Sequence, residues 1–136
     1  MKHLSAKLSA TTVVLTMAVL LLTAGTVQSA APSPSNKWRV ECSGKAQADG
    51  TVVLKLTPKE GEAITATIAI ANNTGENDVA KALVKGLKAQ LPKDSYHIER
   101  DDGEDVLVKK KMGKGDFILE LVSNDVKNVR VNLEKE

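Results

Sequence analysis

The chain has 136 residues, with 19 Lys and Arg against 17 Asp and Glu, one Cys, two His, and a single Trp, Tyr and Phe. Charge this evenly balanced excludes the net basic face with which nucleic-acid binders neutralise phosphates, and three aromatic rings are too few for base-stacking platforms. One Cys and two His exclude both an internal disulfide framework and a four-ligand Cys/His zinc site.

The N-terminus predicts a cleaved secretory leader over residues 1–29. Lys2 and Lys7 supply the basic start, Val13 to Leu22 the apolar segment, and Thr23 to Ala30 the small and polar approach to the cleavage site. The apolar run is well short of the ~20 residues that span hydrocarbon. Cleavage between Ser29 and Ala30 places Val27 and Ser29 at the small-residue positions read by signal peptidase. Lys2 and Lys7 leave with the leader, so the 19 cations fall to 17 and balance the 17 acids. The expectation is a periplasmic or secreted bacterial protein with no membrane contact after cleavage, held together by packing alone.

Residues 30–37 (AAPSPSNK) read as a flexible Pro/Ser tether, and 38–136 as a single α+β domain. Trp38, Val40 and Cys42 alternate with polar residues and predict a short first strand. Val52, Leu54 and Leu56, then a turn at Pro58–Gly61, then Ile64, Ala66, Ile68 and Ile70 predict a β-hairpin with one buried side.

At Asn72-Asn73-Thr74 the period changes. Asn73 with Glu76 resembles a capping box, Thr74 being the other candidate cap, and the same triplet matches a glycosylation sequon that capping explains without a glycan. Val79, Ala80, Leu83, Val84, Leu87 and Leu91 recur at helical spacing, so a helix is expected over about 75–91, ended by Pro92. Gly86, at the edge of this stripe, would let the helix sit close to a sheet.

Four strands follow. Tyr96 and Ile98 lead to Asp102-Gly103, expected as a two-residue hairpin turn. Val106 and Val108 come next, then Phe117, Leu119 and Leu121, then Val129, Val131 and Leu133. The order β-ββ-α-ββββ predicts a largely antiparallel sheet of about five to seven strands with the helix on one face.

Candidate chemistry is sparse. Cys42 and His97 are the only nucleophile and base outside the leader, yet the alternation buries Cys42 beside Trp38 and Val40 and turns His97 outward. No catalytic residue, metal ligand or cofactor is assigned. Asp101 to Asp105 gather four acids around Gly103 but lack the ligand spacing of a calcium loop, and a hairpin tip explains them. Lys109, Lys110, Lys111 and Lys114 form the densest basic run, without the order of a P-loop, and are the candidate anion-binding set. An anionic envelope polymer or acidic protein would fit it, against the plainer reading of a dipolar surface. Val53, Leu107, Ile118 and Val122 point away from the helix side and would form an interface patch if uncovered.

The hairpin TVVLKLTPKEGEAITATIAI, the helix ENDVAKALVKGLKAQL and the strands SYHIERDDGEDVLVKKK and DFILELV together resemble small ββαββ modules of phage tail and bacterial surface proteins. The resemblance covers most of residues 50–133 and implies a non-enzymatic assembly or adhesion part, with no site residues. The expected function is therefore an exported, non-catalytic binding or structural module acting through a sheet face or edge strand, on a protein partner or itself. The alternative is a proteinaceous inhibitor or immunity protein, plugging an enzyme cleft with the Asp102-Gly103 or Lys114-Gly115 loop.

Overall fold

Period-two alternation builds seven strands and one 3.6-period stripe builds a helix in the computed structural model, which describes residues 32–136. The leader, with its cleavage site at Ser29 and Ala30, lies outside the described residues. In chain order the elements are β1 (Lys37–Ser43), β2 (Gly50–Pro58), β3 (Ile64–Ile70), α1 (Glu76–Gln90), β4 (Tyr96–Asp101), β5 (Asp105–Lys110), β6 (Phe117–Asn124) and β7 (Arg130–Lys135). This is the expected α+β order, and every strand pair is antiparallel.

The strands divide between two sheets, β4-β5-β1-β7 and β3-β2-β6. The chain crosses between them at four connections, the last being the β6–β7 corner. There the Asp125 carboxylate accepts the Thr51 N–H at 2.5 Å, the Asn124 amide donates to the Val129 carbonyl at 2.8 Å, and Val126 and Val129 turn inward. Two buried side chains at the corner carry the chain from one sheet into the other instead of closing a tight ladder. Gly50 is required beneath it, because a Cβ there would lie 2.7 Å from the Asp125 carboxylate and 2.9 Å from the Val126 backbone.

One aliphatic core serves both sheets. Val40, Val52, Leu54, Leu56, Val106, Val108, Phe117 and Leu119 are at most 1% exposed, and Val79, Ala80, Leu83 and Leu87 of α1 pack into them. Burial of each large aliphatic contributes about 1.5–3 kcal/mol, which suits a domain without a disulfide. Tyr96 and Phe117 meet edge to face at 5.2 Å.

α1 follows its predicted stripe but not its predicted cap. Gly75 is the N-cap, with no side-chain hydrogen bond. Asn73 takes a left-handed conformation (φ 68°), its N–H donates to the Ala46 carbonyl, and Thr74 Oγ1 donates to Ala71. Residues 73 and 74 are thus committed to the Ala46 loop, and Glu76 accepts from the Gly44 N–H instead of closing a capping box. At the other end Leu91 N–H still reaches the Leu87 carbonyl before Pro92 stops the helix. Gly86 fulfils its expectation: a Cβ there would lie 2.5 Å from Ile68 Cγ1 on β3.

Three further details depart from the sequence reading. The β4–β5 loop has three residues, since Asp101 pairs with Asp105. Asp102 and Gly103 both have positive φ, as expected of that dipeptide. A β-bulge shifts register between Val53 and Leu54, which pair with Ser123 and Leu121, so Val122 has no β2 partner; Leu121, opposite buried Leu54, is nevertheless 36% exposed instead of buried. The tether is also shorter than 30–37. Ser35 pairs with Phe117 through two backbone hydrogen bonds, Lys135 Nζ donates to Ser33 Oγ, and Lys37 already belongs to β1.

Candidate binding groove

Alternation on β1 and β4 places Cys42 and His97 on opposite faces of their sheet, with β5 between the two strands. Cys42 is buried, and desolvation, followed by the Asp105 and Glu104 carboxylates, pushes its thiol up to about 12. A thiol shifted this way is protonated at neutral pH, the less nucleophilic form. His97 is more than half exposed and bonds the Glu99 carboxylate at 3.0 Å. The pair is not assembled.

The outer face of β4-β5-β1-β7 carries a layer of ion pairs. Arg39 meets Asp105 at 2.7 Å, Asp101 at 3.4 Å and Glu136, while Lys37 meets Glu136 at 2.6 Å. Hydrogen bonds from Arg39 and then Lys37 hold the Glu136 carboxyl down to about 2, and Lys109 with His97 lowers Glu99. Two of the acids around the β4–β5 loop are therefore held by a guanidinium. Leu107 faces this layer, yet is only 4% exposed, which is consistent with cover from the long stems of its cross-strand neighbours Arg39 and Glu99.

The predicted apolar patch is consequently dispersed. Leu107 belongs to one sheet, while Val53, Ile118 and Val122 belong to the other, where Val53 and Ile118 are half-buried and Val122 is 56% exposed. The four lysines do not converge either. Lys109 pairs with Glu99, Lys110 with Asp116 at 2.7 Å, and Lys111 donates to the Lys93 carbonyl, while Lys114 borders a hollow among the turns below β2, α1 and β5. That hollow, about 610 Å³, also contains Glu60 and has no single charge character.

A second hollow, of about 370 Å³, has such a character. Its rim carries Lys88, Lys93, His97 and Lys111, its apolar walls are Ala89, Leu91, Tyr96 and Ile98, and no carboxylate lines it. Lys88 comes from the last turn of α1, Lys93 from the residue after the Pro92 stop, and His97 from β4. Three consecutive residues of β4, an edge strand, line the same space, so the groove runs along that edge.

The phase of the ladder shows what the edge offers. Lys111 N–H donates to Ser95, and Lys110 N–H to Asn36 on the β1 side. Alternation from those bonds turns His97 and Glu99 toward β5, and turns the backbone groups of Ile98 and Arg100 outward. Among the described residues no hydrogen bond occupies the outward N–H and C=O of Ile98. The β3 edge differs, because the Gln90 side-chain amide accepts from Thr67 N–H at 3.0 Å and donates to Thr67 C=O at 2.9 Å.

Sequence reasoning named His97 and Lys111 but missed Lys88 and Lys93. The available signal was a Lys on each side of the helix stop, directly before a strand.

No protein-family profile, curated protein or solved structure matches the chain significantly.

Proposed function

We propose that the chain is an exported, non-catalytic binding module that works through the outer edge of β4. Export rests on the leader read from residues 1–29. Edge recognition rests chiefly on one observation: the outward backbone of Ile98 opens into a groove beside α1, whereas the β3 edge is occupied by Gln90. Strand addition needs unpaired backbone groups for affinity and flanking side-chain pockets for specificity, and β4 has both. The assembly or adhesion role implied by the resemblance to ββαββ modules belongs to the same class. The inhibitor reading loses one of its two loops, because Gly103 lies against Asn77 of α1 and Glu104 accepts from Cys42 N–H, tying that loop to the domain body.

Site-specific photo-crosslinking in the producing cell tests the proposal. A benzophenone side chain at position 97 should capture one partner, or a second copy, outside the cytoplasm, while the same group at exposed Lys127, at the opposite end of the strands, should not. Equal capture at both positions, or retention of the unprocessed chain in the cytoplasm, defeats it.

A further inference from the structure

Resting on that reading, we propose that the β4 groove takes an extended acidic peptide segment as an added strand. Charge selects the partner. Lys88, Lys93 and Lys111 rim the groove, Lys111 being held by the Lys93 carbonyl, and no carboxylate lines it. Asp94 and Glu99, the acids next in sequence to lining residues, stand outside the lining; Glu99 is engaged by Lys109 and His97, and Asp94 accepts from the Ser95 hydroxyl. Exposed Arg100, two residues along the edge from Ile98, extends the positive run.

Backbone selects an extended chain over a compact anion. A strand laid beside β4 meets outward N–H and C=O groups at Ile98 and again at Arg100, spaced as a ladder requires. The Tyr96 N–H is already used by the Pro92 carbonyl at 3.2 Å, so pairing starts at Ile98. Alternate side chains of the guest would then face the apolar wall of Leu91 and Ile98, and the rest the lysines. An alternating acidic and aliphatic segment satisfies both.

Fluorescence anisotropy of the processed protein with a labelled peptide alternating Glu and Val provides the test, read beside hydrogen exchange at Ile98 and Arg100. Saturable binding should protect both amides. Lys88→Glu or Lys93→Glu, both at exposed positions, should each weaken it about tenfold, the loss of one charge-assisted hydrogen bond. N-methylation of alternate peptide nitrogens should weaken it by at least as much. An N-methylated peptide that binds as well as its parent, or full competition by millimolar inorganic phosphate, overturns the proposal. If a Thr-Val peptide protects Ile98 and Arg100 as strongly as the acidic one, edge recognition stands and acidic selectivity falls. If no peptide protects those amides, both fall.

Discussion

The two strands that flank α1, β3 and β4, end their sheets in opposite ways. β3 meets the helix closely, with Gly86 against Ile68, and its outward peptide at Thr67 is held by the Gln90 amide. Beside β4 the same last turns of α1 present Lys88 and Ala89 across an open groove. An unpaired edge invites association with any extended chain, and natural proteins cover or charge such edges. Here one helix contributes to both: its Gln90 amide occupies Thr67 of β3, and its Lys88 stands at the rim of the groove beside β4. A single side chain thus separates an occupied backbone position, at Thr67, from an open one, at Ile98.

Removing the helix anchor should erase the contrast altogether. Leu87 is fully buried between the two edges, and Leu87→Ala should cost about 3 kcal/mol in urea unfolding, with protection falling on β3 and β4 alike. Gly86→Val should act on one side. Its branched side chain must displace Ile68, at a cost of about 2 kcal/mol, and amide exchange should quicken along β3 more than along β4. Equal quickening would show that the close approach does not belong to β3 alone. Gln90→Ala should cost no more than about 1 kcal/mol, since both Thr67 groups become open to water. It should nevertheless convert β3 into a second open edge, seen as a sedimentation coefficient that depends more steeply on concentration than that of the parent protein.

Acid provides the mildest test. The Glu136 and Glu99 carboxyls are held below their ordinary value by Arg39, Lys37 and Lys109, so their contribution is present above about pH 4.5 and is lost as pH falls below it, for Glu136 toward 2. Those pairs lie on the sheet that contains β4, whereas the exposed Thr65 and Thr67 of β3 carry no charge. Amides of β1, β5 and β7 should therefore lose protection before those of β2 and β3 as pH drops. Exposed pairs are worth little singly, so the shift should be small and diminished by salt.

Much of this fold was legible because each element advertises its own period. Alternation located all seven strands, the 3.6 spacing from Val79 to Leu91 located α1, and Gly86 marked where the helix would press on a sheet. The capping box failed because Asn73 and Thr74 are claimed by Ala46, a partner 27 residues away from Asn73 that no local pattern reveals. Leu121 keeps the phase of Leu119 and pairs with buried Leu54, yet is 36% exposed, and the extra residue beyond it, Val122, shifts the register without a Gly or Pro to mark it. The basic run misled in its turn. Consecutive lysines on a strand point to opposite faces, so Lys109 and Lys110 find separate carboxylates, while the groove takes only Lys111 from the run and its other lysines from α1 and the α1–β4 loop.

By itself the sequence determined the α+β class, the order of the elements, the burial of Cys42 and the outward turn of His97, because these follow from local periodicity and need no knowledge of neighbours. Tertiary structure alone decided which strands became edges, which edge Gln90 occupies, and which lysines share a groove. Those outcomes depend on pairing between segments far apart in the chain, where backbone hydrogen bonds are available to every strand equally and only simultaneous packing around α1 selects among the partners.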